Sequence, residues 1–388
     1  MSVIYLDNNA TTRIAPEVLE AMLPWLGERY ANPSSVHHFG QQARHAVEVA
    51  REQVAAAMGV RDRQIIFTGS GTESNNLAIR GVLAARPEKR HVATTAVEHD
   101  SVLRPMQQLE REGYRVTYLG VDSLGHLDLG ELEASLSDQT ALVSIMHANN
   151  ETGVIFPIER IAALTSAKDI PLHVDAVQTT GRIRDASGHS PLNLVDVPVD
   201  LLTASAHKFH GPKGVGILYL RRGARLRPQV LGGHQERDLR AGTENVAGIV
   251  GAGRALELAM RHLDADSARV ATLRDRLEEG ICSRVSIARV NGDRVGRIPN
   301  TTNIGFEALQ AEAILMLLSN HGVCASSGSA CSSGSLEPSH VLTAMGIDRR
   351  VVHGAIRFSL SRFTTEAEID QVLDLMPGII ERLQKLQR

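Results

Sequence analysis

Lys208 stands in Ser205-Ala-His-Lys-Phe-His-Gly-Pro-Lys-Gly-Val-Gly216, a stretch that holds two of only five lysines in the chain. The others are Lys89, Lys168 and Lys385, and arginine carries nearly all the remaining positive charge. Lysine is therefore not used here as a generic surface cation. Lys208 follows the apolar run Asp200-Leu-Leu-Thr-Ala-Ser205, an expected buried strand, and precedes a glycine-rich turn. The C-terminal ends of such strands are where open α/β sheets gather their reactive groups. An amine placed there can form a Schiff base with an aldehyde. An exposed turn lysine accounts equally well for this stretch alone, so the rest of the chain has to decide.

Three further segments bear on it. Phe67-Thr-Gly-Ser-Gly-Thr-Glu73 follows an expected strand and opens a helix, so its glycines and free amides can close around an anion. The helix dipole contributes only about 0.3–1 kcal/mol, against roughly 1.5–3 for each charge-assisted hydrogen bond. A phosphate here would be held mainly by the amides and Thr72. No lysine follows the last glycine, which excludes a Walker loop. Pro171-Leu-His-Val-Asp-Ala-Val-Gln178 is a strand ending in Asp175. A buried carboxylate there needs a cation, and the protonated pyridine nitrogen of pyridoxal 5'-phosphate (PLP) is one. Gln178 lies within reach of the ring oxygen of such a group. Taken singly, Asp175 reads as readily as a helix N-cap. Together with Ala96-Val-Glu-His99, however, four expected strand ends each supply one part of a PLP site.

The elements that must position these residues alternate. Gln64–Thr68, His91–Val97, Tyr114–Val121, Ala141–His147, Pro171–Val177, Asp200–Ser205 and Gly214–Leu220 read as strands, with amphipathic helices such as Thr72–Ala85 and Ser101–Gly113 between them. That order predicts an α/β fold with a mostly parallel sheet in a large domain, residues 16–250. Beyond it, helical patterns to His262 and over Ala268–Ser283 are expected as separate helices. Strands Val285–Val290, Thr301–Phe306 and Gly354–Leu360 and a last helix from Thr364 complete a small α+β domain, residues 1–15 and 251–388. Tyr5-Leu-Asp-Asn-Asn-Ala-Thr-Thr12 reads as turn chemistry.

Composition excludes several classes. A net charge of -3 with 22% charged and 43% hydrophobic residues describes an ordinary globular protein, without a basic run for nucleic acid. No apolar run approaches membrane-spanning length, and the N-terminus lacks a signal-peptide pattern. Three cysteines, Cys282, Cys324 and Cys331, fit free thiols and a cytoplasmic location.

The ordered motifs Tyr5–Thr12, Thr68–Asn76, Glu98-His99, Asn149–Gly153, His173–Gln178, Ser205–Gly216, Arg240–Asn245 and Ser326–Cys331 resemble those of the cysteine desulfurases of the class-V aminotransferase family. They span almost the whole chain. Gly232-Gly-His-Gln-Glu236 and Gly334-Ser-Leu-Glu-Pro-Ser-His340 resemble most the nitrogen-fixation type, NifS. The resemblance implies the PLP-dependent transferase fold (fold type I), PLP, and a homodimer with sites near the subunit interface. It makes Lys208 the Schiff-base lysine, Asp175 the partner of the pyridine nitrogen, and Gln178 a ligand of the ring oxygen. It places His99 on the ring as a proton carrier. Gly71, Thr72, Ser205 and His207 would hold the phosphate, and Thr243 would reach the phosphate of the neighbouring subunit. Asn150 and Arg357 would orient L-cysteine, Arg357 by a fork on the carboxylate; without the family, Arg357 reads as a structural ion pair. Sulfur would pass to an iron–sulfur scaffold or another acceptor protein. Gly69-Ser70 departs from the Ser-Gly order of many relatives, and Cys324 stands where a small apolar residue is expected.

Among the three thiols, Cys282 lies beside Ile281 on an amphipathic helix and Cys324 follows Gly322-Val323, so both are expected to pack. Cys331 sits in the Ser/Gly-rich stretch Ser326–Ser335, a composition that favours mobility and exposure. It is the expected sulfur acceptor and, as a persulfide, a transient iron–sulfur ligand. A zinc site from Cys324, Cys331 and His340 lacks the close ligand pairs of zinc motifs. An aminotransferase, a selenocysteine lyase and a non-catalytic sulfur carrier are the rival readings.

Overall fold

The computed structural model describes residues 3–327 and 338–386; Cys331 lies outside them. Its strands are β1 (Ile4–Tyr5), β2 (Ile65–Thr68), β3 (His91–Thr95), β4 (Arg115–Leu119), β5 (Thr140–Met146) and β6 (Leu172–Asp175). They continue with β7 (Leu201–Ser205), β8 (Gly216–Leu220), β9 (Ala288–Asn291), β10 (Thr301–Phe306), β11 (Val323–Cys324) and β12 (Ala355–Ser359). Seven of them form the central sheet in the order β2-β8-β7-β6-β5-β3-β4. Only β8 runs antiparallel to its neighbours. All seven residues of β5 are buried, as expected for a parallel strand covered on both faces. Side chains alternate between those faces: Val143 and Ile145 enter the large core on one face, Leu142 a smaller apolar cluster on the other.

A second core lies around the antiparallel sheet β12-β10-β9. The N-terminal strand β1 pairs with β11, and Ile4 and Leu6 are buried in this second core. Helix Val246–Arg284 joins the two cores. Its first half puts Ile249, Ala252 and Leu256 into the large core, and its second half puts Val270, Leu273, Leu277 and Ile281 into the small one. This is one helix where the sequence suggested two. The apolar stripe lapses between Leu263 and Val270, where the same face carries Asp266 and Ser267, but no glycine or proline breaks the backbone there. The helix Glu278 carboxylate, 0% exposed, pairs with buried Arg297 at 2.6 Å and 3.1 Å and accepts the Thr302 hydroxyl. Val341, Leu342, Met345 and Val352 pack into the large core, so the C-terminal sequence serves both. Among the described residues, no helix is long and apolar enough to cross a membrane.

Candidate active site

Because β2, β3, β5, β6 and β7 run the same way, their C-terminal ends meet along one edge of the sheet, and a cavity opens there. Gly71, Thr72, His99, Asn150, Asp175, Gln178, Ser205, His207 and Lys208 all line it. Each was expected from the sequence.

The turn after β2 starts helix Gly71–Ala85. Ser70 caps it, its hydroxyl taking the Glu73 amide and its carbonyl the Ser74 amide. The amides of Gly71 and Thr72, without helical acceptors, are the ones left for a ligand. A Cβ on Gly71 would meet Val177 at 3.1 Å and Ser205 at 3.3 Å, so glycine keeps this corner of the cavity open. Gly216 is needed for a different reason: its Cβ would collide with the Ser70 carbonyl at 2.2 Å. The Gly69-Ser70 order thus fits a capped phosphate-type loop.

Asp175 closes β6 and is 6% exposed. Its Oδ2 accepts from Asn75 Nδ2 at 2.7 Å and its Oδ1 from the Val177 amide at 3.0 Å. Both donors are neutral, so they orient the carboxylate without matching its charge. Lys208 ends the short turn after β7; its Nζ donates to the carbonyls of Asn9 at 2.5 Å and Ala10 at 2.8 Å. His99 caps helix Asp100–Arg111: its Nδ1 accepts the Ser101 amide at 3.1 Å and lies 2.8 Å from the Ser101 hydroxyl. Burial, with Lys208, Lys213 and Arg182 nearby, pushes His207 down to about 4 and keeps it neutral at neutral pH.

Two expected residues lie elsewhere. Thr243 is exposed and lines no part of this cavity. Arg357, on β12, is buried; its Nη2 pairs with Asp7 at 2.8 Å and its Nη1 donates to the Asn150 carbonyl at 3.1 Å. It touches the residue that lines the cavity while holding a structural ion pair. Cys282 is half-buried against the small core, with burial first and Glu278 next raising its thiol, and Cys324 lies in β11.

Sequence reading missed Arg182, Asn75 and Ser101. Arg182 Nη1 donates to Asn9 Oδ1 at 2.8 Å and Gln178 Oε1 at 2.6 Å, and its Nη2 to the carbonyls of Asn8 and Lys208. It ties the N-terminal turn, Gln178 and the Lys208 backbone together. Its place four residues after Gln178 was the available signal. Asn75 stands four residues after Gly71 on the same helix face, and Ser101 two after His99. Asp7-Asn-Asn9 is a turn, as expected, but it also bridges the two cores through Arg357 and Thr301.

The donor set fits PLP. It offers an amine for the aldehyde carbon, an unmatched carboxylate for the pyridine nitrogen, and amides with hydroxyls for the phosphate. The cofactor-bearing fold also has known relatives. A family model described as aminotransferase class-V matches residues 4–372. A protein named cysteine desulfurase from a Nostoc species is 57% identical over 386 residues, covering 100% of this chain and 95% of the relative. Cysteine desulfurase NifS of Azotobacter vinelandii is 50% identical over 387 residues, covering 100% and 94%. A solved structure titled NifS-like protein superposes with a TM-score of 0.91 at 42% identity, covering 98% of this chain and 100% of that one. SspA in complex with cysteine superposes at 0.80 with 34% identity, covering 93% and 100%. A match along nearly the whole length, joined to a strand-edge cavity built for PLP, makes this chain a member of the class-V aminotransferase family.

Proposed function

We propose that the protein is a PLP-dependent cysteine desulfurase that converts L-cysteine to L-alanine and holds the released sulfur as a persulfide on Cys331. The observation that carries the PLP site is Asp175: a buried carboxylate oriented by neutral donors alone, in the cavity that also contains Lys208. Cysteine as the substrate rests on the relatives' names and on Cys331.

PLP bound here supplies an electron sink for the pair released at the substrate Cα. Gly71, Thr72, Ser205 and His207 would hold its phosphate, Asp175 its ring nitrogen and Gln178 its ring oxygen. Lys208 would hold the cofactor through its amine and, when free, would remove the substrate Cα proton. His99 carries the proton of the substrate thiol. Asn150 would orient the substrate carboxylate from the cavity wall, and Arg357, bonded to the Asn150 carbonyl and paired with Asp7, would take part from behind it. The Cys331 thiolate attacks the substrate sulfur, the C–S bond breaks, and its electron pair stays with the three-carbon fragment. Protonation of that fragment releases alanine. Cysteine and one protein thiol thus become alanine and one persulfide, with no outside oxidant. An ordinary thiol with a pKa near 8.5 is only a few per cent ionised at about pH 7, so either a lowered thiol pKa or proton removal during the attack has to supply the Cys331 thiolate.

The same reading includes a cytoplasmic homodimer in which Thr243 reaches the partner's phosphate. Its exposure outside this subunit's own cavity supports that role. The sulfur acceptor would be an iron–sulfur scaffold or a similar protein, with nitrogenase maturation one use and a transient iron contact at the Cys331 persulfide.

The test supplies L-cysteine to the PLP-loaded protein without any keto acid and measures alanine, with mass spectrometry of the cysteine peptides. Alanine with added sulfur on Cys331 is expected. Cys331→Ala should still bind PLP and cysteine, seen as a change in visible absorbance, but form no persulfide and almost no alanine. Cys324→Ala and Cys282→Ala should remain active. Sulfur on Cys324, with Cys331→Ala fully active, would overturn the assignment, and a keto-acid requirement would make the protein an aminotransferase.

A further inference from the structure

We propose that Asn75 is a positioning residue that links Asp175 to His99 through Ser101 and keeps the neutral His99 imidazole protonated on Nε2. The inference deepens the PLP-site reading and rests on it for its catalytic meaning.

Asn75 is fully buried and lines the cavity. Its Nδ2 donates one hydrogen to Asp175 Oδ2 at 2.7 Å and the other to Ser101 Oγ at 2.8 Å. Turning the amide over would set its oxygen 2.7 Å from a carboxylate oxygen, two acceptors with no hydrogen between them. The orientation is thus determined even though Asn75 Oδ1 is left buried without a partner. A side chain that leaves its own oxygen unpaired is held in place for its two donations.

The second donation sets the direction of the next bond. Ser101 Oγ receives a hydrogen from Asn75, so its single proton is available to His99 Nδ1, 2.8 Å away. The Ser101 amide donates to the same nitrogen at 3.1 Å. Two donors converge on Nδ1, and the ring proton of the neutral imidazole belongs on Nε2. Nε2 is then the nitrogen whose proton can move during turnover. The first donation orients the Asp175 carboxylate, so one amide organises both the anion expected at the ring nitrogen and the tautomer of the proton carrier.

Asn75→Asp keeps the shape but can keep at most one of the two donated bonds. Ser101→Ala removes the hydroxyl and leaves the Asn75–Asp175 bond untouched. The decisive readout is the ring-nitrogen resonances of His99 in protein carrying 15N-labelled histidine, assigned by their loss in His99→Gln, with and without PLP. Wild type should show the Nε2–H form alone; each variant, left with only the Ser101 amide at 3.1 Å on Nδ1, should show a measurable fraction of the Nδ1–H form. Alanine formation by the loaded variants should fall roughly tenfold to a hundredfold in kcat, with KM for cysteine moving less than about threefold. A wild-type proton on Nδ1, or an unchanged tautomer in both variants, overturns the proposal. Should Asn75→Asp fail to fold, the tautomer in Ser101→Ala decides by itself. A wild type that makes no alanine yet shows the Nε2–H form defeats the desulfurase reading and supports the tautomer assignment.

Discussion

Replacing Glu98 by glutamine should make the protein more stable, and increasingly so as pH rises. Glu98 precedes His99 and is fully buried. Its Oε1 accepts the Thr95 hydroxyl at 2.8 Å and the Met146 amide at 2.9 Å, while Oε2 is buried without a partner. Burial pushes this carboxyl from 4.5 up to about 8; the bonds from Met146 and Thr95 oppose the rise and the charge of Asp175 adds to it. At neutral pH the folded protein therefore holds a proton on Glu98 that the unfolded chain has lost. Between 4.5 and about 8, unfolding releases that proton, and stability falls as pH rises through this window. The slope is about 1.4 kcal/mol per pH unit, which across the window amounts to on the order of 5 kcal/mol. Glutamine keeps the acceptor at Oε1 and cannot ionise. Urea denaturation of both PLP-loaded proteins from about pH 5 to about pH 8 should show the variant gaining roughly 3–4 kcal/mol on wild type. Every other titrating group is common to the two, so the difference isolates Glu98. Parallel stability curves, or a variant that loses ground as pH rises, would mean that Glu98 is ionised in the fold and that the burial argument is wrong.

Other perturbations separate the roles assigned to the site. Lys208→Ala should lose the covalent cofactor and turnover, and borohydride reduction of wild type should fix PLP on the peptide containing Lys208; attachment at Lys213 would refute this. Asp175→Asn should retain PLP but slow Cα proton removal, measured by solvent exchange into the substrate. An ion pair at about 4 Å and an effective dielectric near 20 is worth about 4 kcal/mol, so a loss of roughly a hundred- to thousandfold is expected. An unchanged rate would leave Asp175 as a turn residue. Arg297→Ala should cost about 1–3 kcal/mol in denaturation, because it leaves the buried Glu278 carboxylate with only the half-exposed Arg294 and the Thr302 hydroxyl, and Arg294→Ala made on top should cost more than either alone; an unchanged stability would show that Arg294 alone suffices.

The sequence by itself determined most of the parts list. Strand-like runs interrupted by helices predicted the parallel sheet, and residues at their ends, Asp175, Ser205, Lys208 and the Gly71-Thr72 pair, proved to share one cavity. That much was legible because a parallel sheet aligns its strand ends, so reactive residues at those ends become neighbours however far apart they stand in the chain. The caps Ser70 and His99, each one residue before its helix, came only with the structure. What only the tertiary structure decided are the contacts between elements that share no pattern. Helix periodicity places Asn75 on a face, but not against Asp175 and Ser101 at once. Nothing near Asp7 announces Arg357, 350 residues away, as its partner. The long helix Val246–Arg284 read as two because its apolar stripe lapses over the polar stretch after Leu263, and only the structure shows one rod spanning the gap between the two cores that its halves enter. Periodicity reports how a segment meets its own core, whereas pairings between side chains depend on where distant elements come to rest.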